Sequence, residues 1–419
     1  ANVKEMPAEV GFKGAGKTDW NFAAPEKPFD SASWDDLKAH QPFYAQVNFQ
    51  ETHRTFHAPP HADPAKVEVP PYYPDHEITR KDWAQYLDAA TELDRKVGEA
   101  IDIYVNNRLV ARGEAAIAAG EVAALVLNGG MATRFGGAVK GVVPVLPGPA
   151  APSFLAIKLA GLRGVPVVLM HSFATAAASA QHLGAIDWSG VPHADRLEFE
   201  QSLLPRLHAD GTPLPELAEA SAWSDTLVYA APGHGDTLRR LRDSGTLARL
   251  QARGVRHLLV SNVDNLGATL DPLLLGAHLE ACERGSSLSV EVVLRDPEDA
   301  GGCVAAVGGR PQIIEGFRLP AGTSLADYPH FNTNTLWVAL AALTAEHPLT
   351  WFPVRKAIDL PDGTTRPVVQ FEQLIGQLSE FVATTCLQVE RGRFLPIKSR
   401  EELAAAAGRI AALARAAGL

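Results

Sequence analysis

Apolar positions follow two different spacings along the chain, and the spacing changes near residue 119. From Ile78 to about Ala118 they recur every three to four positions, which predicts one long helix with Thr79 as its N-cap. From Val122 onward, short apolar runs alternate with helical stretches, the runs being VAALVL, PVVLM, HLLVS and SLSVEVVL. This alternation predicts an α/β fold with a mixed, mostly parallel sheet and helices on both of its faces.

The two ends of the chain carry other patterns. Residues 1–75 are rich in proline and aromatic residues, which predicts an extended, irregular arm. Two Gly-rich segments, Cys303–Val307 and Pro311–Phe317, predict a hairpin added to the sheet, and the Ala-rich end predicts a helix over Glu401–Leu419. We therefore predict three parts: an N-terminal arm and helix at 1–118, a central domain at 119–360 and a C-terminal segment at 361–419.

Charge and cysteine usage narrow the class of protein. The formal net charge of −10 offers no overall attraction for nucleic acid or for anionic lipid. The sequence shows neither a long uncharged apolar stretch nor an export signal at its start. The 3 cysteines are far apart and odd in number, which argues against a disulfide framework. We expect a cytoplasmic protein with no nucleic-acid or membrane partner.

Two patterns in the arm imitate functional motifs. Residues Gly11–Thr18, GFKGAGKT, match the P-loop spacing, but no apolar strand precedes them and no helix pattern follows. His53, His57 and His61 recur every four residues, yet Pro59–Pro60 would break a helix that placed them on one face. We interpret the first as a flexible loop and the second as incidental.

A second Gly-rich segment directly follows the predicted strand at Val122. It runs from Asn128 to Gly137, NGGMATRFGG, and Lys140 comes shortly after it. Ligands of parallel sheets collect beyond the carboxyl ends of strands, where glycines let backbone N–H groups approach phosphate oxygens. Arg134 and Lys140 would add positive charge there. The spacing is not the G-x-G-x-x-G pattern, which disfavours a dehydrogenase, and a plain strand-to-helix turn is the alternative.

This loop opens a series of ordered blocks. It is followed by PVVLMHSFAT, FEQSLLPRL, APGHGDTLRRLRDSGTLARL, HLLVSNVDNLGATLDP, HFNTNTLWVAL and RFLPIKS. From about Val122 to Arg400 the blocks resemble the UTP–glucose-1-phosphate uridylyltransferases, also called UDP-glucose pyrophosphorylases. The resemblance implies a Rossmann-like, GT-A-like nucleotidyltransferase fold with 119–360 as its catalytic domain.

The same resemblance implies a reaction. The phosphate of a sugar 1-phosphate would attack the α-phosphorus of UTP, with pyrophosphate and a UDP-sugar as products. Because that nucleophile is already an anion, alignment and charge neutralisation would carry the catalysis. The expected acceptor is α-D-glucose 1-phosphate. Galactose 1-phosphate, N-acetylglucosamine 1-phosphate and a non-catalytic UDP-sugar sensor are the alternatives.

Individual roles follow from the matching positions. Lys140, Arg134 and Lys398 would neutralise phosphate charge, and Asp264 would hold Mg²⁺, which favours one or two carboxylates with phosphate and water. The predicted nucleotide contacts are Leu127, Asn128, Gly129, Gly130, Gln201 and Gly233. The predicted sugar contacts are His234, Asn262, Asn332 and Asn334.

These roles have physical grounds and plain structural alternatives. The amide of Gln201 can both donate to and accept from uracil, although an ordinary surface position would also suit glutamine. Asn332 and Asn334 are two apart and would face one side of an extended strand, or belong to a turn. Surface solubility would equally explain the lysines, and helix capping would explain Asp264.

The sequence also departs from the family pattern. Ala132 stands where the family commonly has glycine, and Arg134 stands where the glucose enzymes have a small residue, which leaves the sugar open. After PIKS the family continues into a β-helix domain, whereas only the Ala-rich helix follows here. We therefore expect a bacterial-type member without that domain, with an undefined oligomeric state.

Overall fold

The computed structural model describes residues 2–7, 43–132, 138–148, 151–214, 225–299, 301–360 and 363–419. The chain divides into two compact units, Ala1–Arg108 and Leu109–Leu419. The predicted central and C-terminal segments, 119–360 and 361–419, thus belong to one unit. Gly11–Thr18 lie outside the described residues.

The secondary structure of the described residues comprises the following elements. The strands are β1 (Asn2–Pro7), β2 (Phe43–Asn48), β3 (Val122–Asn128), β4 (Met131–Ala132), β5 (Ala138–Val139), β6 (Val167–His171), β7 (Arg196–Glu200), β8 (Leu204–Pro205), β9 (Tyr229–Ala230), β10 (His257–Asn262), β11 (Leu288–Leu294), β12 (Cys303–Val307), β13 (Arg310–Ile314), β14 (His330–Ala339), β15 (Phe352–Asp359), β16 (Thr365–Glu372) and β17 (Thr384–Gln388). The α-helices are α1 (Glu77–Ala118), α2 (Phe154–Ala160), α3 (Ala176–Ala185), α4 (Asp225–Val228), α5 (Thr237–Asp243), α6 (Thr246–Ala252), α7 (Pro272–Glu283), α8 (Leu378–Phe381), α9 (Arg400–Ala405) and α10 (Ala407–Ala416). Among the described helices, none combines the length and the apolar character needed to cross a membrane.

The first unit contains a short sheet that the sequence pattern did not predict, because β1 pairs with β2 in parallel. The long helix α1 was predicted from Ile78, and it begins one residue earlier, at Glu77. The Ile78 N–H donates to His76 Nδ1 at 3.2 Å, so His76 satisfies an amide of the first turn. Thr79 therefore lies inside the helix, and its predicted role as N-cap is wrong.

A nine-stranded sheet forms the centre of the second unit. The strand order along its main path is β13-β12-β14-β10-β3-β6-β7, and β11 pairs with both β14 and β17. The pairs β10/β3, β3/β6, β6/β7 and β11/β17 are parallel, whereas β14 is antiparallel to its neighbours. The predicted mixed, mostly parallel sheet is confirmed.

Both faces of this sheet are covered, which explains the uninterrupted apolar run of β3. Val122, Ala124 and Val126 pack in one buried cluster that includes residues of α2, α3 and α7. The residues between them, Ala123 and Leu125, belong to a second cluster with residues of α5 and α6. The predicted arrangement of helices on both faces is thereby confirmed.

The strand β14 carries a bulge. Glu291 pairs with Thr335 and Val292 pairs with Asn332, so two residues of β14 have no partner on β11. Asn334, one of the two, adopts the left-handed conformation with φ of 57°. Asparagine tolerates that region better than most residues. The bulge interrupts the regular alternation of side chains on which the same-side placement predicted for Asn332 and Asn334 depends.

Candidate functional site

A cavity of about 750 Å³ opens at the carboxyl ends of β3, β6 and β10, where the sequence predicts it. The strand ends contribute Leu127, Gly129, Gly130, Ser172, Asn262 and Asp264. The opposite wall includes Arg206, Tyr229, Gly233, His234, Lys356, Gln370 and Glu372. Nine of the predicted site residues line this one cavity: Leu127, Gly129, Gly130, Lys140, Gln201, Gly233, His234, Asn262 and Asp264.

Lys140 and Asp264 form an ion pair in the cavity. Lys140 begins a short 3₁₀ turn after β5, and Asp264 follows the end of β10. Their side chains are only 14% and 16% exposed, so water screens the two charges poorly. The pair therefore offers a cation to an incoming phosphate and a carboxylate to a metal ion.

Hydroxyl groups after β6 fix the start of the Gly-rich loop. Ser172 Oγ donates to the carbonyl of Gly129 at 2.9 Å, and Thr175 Oγ1 donates to the carbonyl of Asn128 at 2.8 Å. The Ser172 N–H in turn donates to Thr175 Oγ1 at 3.0 Å. The block HSFAT was part of the resemblance, but no role was predicted for Ser172 or Thr175. Their short spacing and hydroxyl chemistry, directly after a strand, were the available signal.

The side chain of Asn128 is completely buried. Its Nδ2 donates to His171 Nδ1 at 3.0 Å and to Ser179 Oγ at 2.9 Å. The other ring nitrogen of His171 can then donate to Glu198 Oε2, which lies 3.0 Å away. The Asn128 side chain thus joins β3 to the neighbouring strand and helix. The predicted nucleotide contact of Asn128 would therefore involve its backbone.

The side-chain amide of Gln201 lies between Gly129 and Gly233. Its Nε2 donates to the carbonyl of Gly233 at 2.7 Å, and its backbone N–H donates to the carbonyl of His171 at 2.8 Å. A Cβ atom built on Gly129 would lie 2.3 Å from Gln201 Oε1. Gly233 has φ of 78° and ψ of 175°, a region that is essentially restricted to glycine. Both glycines are therefore required for this placement of the amide.

His234 presents one defined nitrogen to the cavity. Its Nδ1 accepts the Ile375 N–H at 3.0 Å. Burial lowers the pKa of His234 to about 4, so the ring is neutral near pH 7. Because Nδ1 accepts, the remaining proton belongs on Nε2. His234 is thus a hydrogen-bond donor that needs no charge.

The opposite wall supplies polar residues that the sequence pattern did not predict. Lys356 Nζ lies 3.3 Å from Glu372 Oε1, and Gln370 Nε2 donates to the same oxygen at 2.6 Å. Arg206 Nε and Gln370 Oε1 are buried without a hydrogen-bond partner. Burial lowers the pKa of Arg206 below its ordinary value. Lys356, Gln370 and Glu372 line the cavity, and the pairing of β15 with β16 brings these three residues together.

A buried lysine, Lys158, stabilises the loop that carries Asp264. Lys158 Nζ donates to the carbonyls of Asn265 and Ala268, both at 2.7 Å. Burial lowers the pKa of Lys158 to about 7. Asn265 Oδ1 accepts the Leu395 N–H at 2.8 Å, which fastens the distant PIKS block to this loop. Lys158 is indistinguishable in the sequence from a surface lysine of a helix.

Besides Asn128, three predicted residues among those described do not line the cavity. Lys398 is exposed and lines a neighbouring cavity of about 490 Å³, although the Ile397 N–H donates to the carbonyl of Asp264 at 3.3 Å. Asn334 lies behind Asn262, and its Nδ2 donates to Asn262 Oδ1 at 3.0 Å. Asn332 is buried in β14. Arg134 lies outside the described residues.

The parallel strands, the Gly-rich loop and the polar cavity beyond it define an α/β protein of the nucleotide-binding class. A more specific assignment comes from comparison with known proteins. The chain belongs to the UTP–glucose-1-phosphate uridylyltransferase family, whose model matches residues 99–415.

Individual relatives agree with that assignment. A protein of Schizosaccharomyces pombe named as a probable UTP–glucose-1-phosphate uridylyltransferase is 30% identical over 305 residues, which are 68% of this chain and 58% of the relative. The chain thus spans about three-fifths of the length of such curated relatives. They come from eukaryotes, so the comparisons give no support to the expected bacterial-type form.

Solved structures share the fold. A mutant UDP-glucose pyrophosphorylase from Leishmania major in complex with UDP-glucose matches with a TM-score of 0.57 and 27% identity, over 71% of this chain and 66% of that chain. The structure described as a putative UDP-N-acetylglucosamine pyrophosphorylase from Entamoeba histolytica has a TM-score of 0.61, covering 71% of this chain and 80% of that chain. At 19% identity, the second likeness concerns the fold alone.

Proposed function

We propose that the protein transfers the uridylyl group of UTP to α-D-glucose 1-phosphate and releases UDP-glucose and pyrophosphate. One observation carries the proposal. The poorly exposed Lys140–Asp264 ion pair and the amide of Gln201 line the same cavity. That combination suits a ligand with a polyphosphate at one end and a base at the other. Family membership supports the same reaction.

The donor set suits Mg²⁺. Asp264 offers a carboxylate, and the amide oxygen of Asn262 lies at the same strand end. Mg²⁺ takes oxygen ligands and commonly combines one or two carboxylates with phosphates and water. When bound, the ion would neutralise charge on the phosphates. In our proposal Asp264 is the principal protein ligand.

The residues of the chain then need only to align the reactants. The acceptor phosphate is already an anion, so no general base is required. Lys140 would leave Asp264 and pair with phosphate oxygens, which replaces one ionic partner by another. Backbone N–H groups of Gly129 and Gly130 stand at the end of β3, without Cβ atoms to obstruct a phosphate. Alignment of two anions in this cavity accounts for the acceleration.

Recognition of the base and sugar is assigned to neutral donors and acceptors. The Gln201 amide can accept from uracil N3–H and donate to a uracil carbonyl, a pattern that cytosine does not match. His234 Nε2–H is a donor for a ligand oxygen, and its neutrality persists across the physiological pH range. We assign Asn262 to the sugar hydroxyls. The proposed setting is the cytoplasm.

The test is pyrophosphate release from the purified chain with UTP, Mg²⁺ and a panel of sugar 1-phosphates. Release with glucose 1-phosphate should be lost in Asp264→Ala and kept in Asp243→Ala, a control that removes an exposed carboxylate at the end of α5. Release with only galactose 1-phosphate or only N-acetylglucosamine 1-phosphate would show that this sugar phosphate, and not glucose 1-phosphate, is the acceptor. Tight UDP-glucose binding by calorimetry with no turnover would replace the enzyme by a UDP-sugar sensor.

A further inference from the structure

A second cluster of chemically reactive side chains lies at the opposite end of β10 from Asp264. It consists of His257, His278 and Cys282, whose potential ligand atoms all lie within 4.8 Å of one another. His257 is the first residue of β10, and Asn262 is the last. At about 3.3 Å per residue, the cluster and the cavity are separated by about 17 Å along the strand. The cluster therefore takes no part in the proposed transfer reaction.

The fold brings the three side chains together from a helix and a strand. His278 and Cys282 are four residues apart on α7, a spacing that places them on one face of the helix. His257 faces them from β10. His278 is completely buried and stacks on Trp337, with ring centroids 6.4 Å apart and an interplanar angle of 28°. His257 and Cys282 are partly exposed, which leaves a route from solvent.

Two of the three distances between the ligand atoms are close to those of a tetrahedral site. His257 Nδ1 lies 3.1 Å from His278 Nε2, and Cys282 Sγ lies 3.5 Å from the same nitrogen. A tetrahedral Zn²⁺ with ordinary bond lengths would separate two nitrogens by about 3.3 Å and a nitrogen from a sulfur by about 3.6 Å. The ligand atoms of His257 and Cys282 lie at most 4.8 Å apart, so the thiol side chain would have to move towards His257 when a metal binds.

A hydrogen bond on the second ring nitrogen of His278 supports this arrangement. His278 Nδ1 lies 2.9 Å from Ser289 Oγ. A proton on Nδ1 donated to that hydroxyl leaves a lone pair on Nε2, directed towards His257. Metal-binding histidines almost always have such a partner on the second ring nitrogen, because it fixes the tautomer and the ring orientation. The partner is therefore in place before any metal arrives.

We propose that His257, His278 and Cys282 form a binding site for a single Zn²⁺ ion. Two imidazoles and one thiolate are the ligands that Zn²⁺ prefers, and water can occupy the fourth position. The two rings keep one proton each on binding, and the thiol proton of Cys282 passes to solvent. Within the described residues, this is the one group of three or more histidine, cysteine, aspartate or glutamate side chains so arranged.

Cobalt(II) substitution tests the site directly. Untagged protein is stripped with a chelator and titrated with Co²⁺, and the thiolate-to-cobalt charge-transfer band is recorded. We expect saturation at one equivalent and displacement by Zn²⁺. Cys282→Ser should abolish the band, and His257→Gln should weaken Co²⁺ binding at least about tenfold. Cys386→Ser is the matched control, because Cys386 is a partly exposed cysteine in β17, outside the cluster.

Two further variants distinguish this site from cobalt bound elsewhere on the chain. Ser289→Ala should weaken Co²⁺ binding by roughly 10–100-fold, because it removes the partner of His278 while all three ligands remain. Asp264→Ala should leave the band unchanged. Absence of the band from folded wild-type protein would overturn the proposal. So would a band that persists in Cys282→Ser or disappears in Asp264→Ala, since the cobalt ligands would then be different residues.

Discussion

Replacing Gly129 by alanine should weaken UTP binding without unfolding the protein. The added Cβ would lie 2.3 Å from Gln201 Oε1 and 3.6 Å from Ser172 Cβ, and no backbone atom is among its near contacts. Gly129 is not among the residues with positive φ, so alanine fits its backbone conformation. Because the nearest atom ends a flexible side chain, the amide of Gln201 should turn away while the loop stays in place.

The expected magnitude follows from the hydrogen bonds that the amide makes. Each net hydrogen bond contributes about 1 kcal/mol, so losing two proposed bonds to uracil should cost about 2 kcal/mol, or about thirtyfold in the Kd of UTP. The amide also loses its bond to the carbonyl of Gly233. That loss of about 1 kcal/mol is offset by about 0.4–1 kcal/mol, since alanine restricts the unfolded chain more than glycine does. The free energy of unfolding should therefore hardly change.

Calorimetric titration with UTP and urea unfolding measure the two effects separately. Gly233→Ala is the contrasting variant, because a Cβ there would lie 2.6 Å from the backbone oxygen of Gln373. That variant should lose about 1–3 kcal/mol of stability. In a Gln201→Ala background, Gly129→Ala should raise the Kd of UTP by less than about a factor of two, because the amide that the new Cβ would displace is absent. An unchanged Kd in Gly129→Ala, or full additivity with Gln201→Ala, would refute the reasoning.

Two other predictions concern lysines. Lys140→Ala should lower kcat by about two orders of magnitude, because Lys140 lines the cavity and is proposed to pair with phosphate oxygens. The family resemblance implies the same loss for Lys398→Ala, although Lys398 lines the neighbouring cavity, and because Lys398 is exposed the urea midpoint of that variant should not move. Wild-type turnover in both variants would contradict the proposed reaction. For Lys158, burial lowers the pKa from 10.5 to about 7, so between these values the unfolded chain binds more protons than the native one. The unfolding free energy of the wild type should therefore rise from pH 7 towards about pH 9 relative to that of Lys158→Met. If the unfolding free energies of both proteins changed with pH in parallel, the lowered pKa of Lys158 would be contradicted.

The central strands could be predicted because their burial leaves a direct trace in the sequence. VAALVL, PVVLM, HLLVS and SLSVEVVL correspond to β3, β6, β10 and β11. Each is a short apolar run with both faces covered, so almost every position has to be apolar. The position of the cavity followed from the same strands, because parallel strands end at one edge of the sheet.

The orientation of individual side chains was beyond the pattern. Asn128 adjoins Gly129, yet its side chain turns inward to His171 while the glycine lines the cavity. The bulge in β14 depends on a register shift against β11, which no local signal in HFNTNTLWVAL reveals. Lys356 and Glu372 meet only after β15 and β16 pair. These features arise from contacts between distant segments, which local propensity does not encode.

The bond from the Leu395 N–H to Asn265 Oδ1 spans 130 residues of sequence. On a ribosome that adds about 5–20 residues per second, the partner of Asn265 is therefore made roughly 6–26 seconds after Asn265 itself. During that interval Lys158 can already stabilise the loop of Asp264, but the hydrogen bond from the Leu395 N–H is still missing. The emerging chain thus completes the anchoring of this loop only when its C-terminal part, which also supplies β17 of the sheet, has been made. Substrate recognition should accordingly mature late in translation, together with the completion of the sheet and of the core.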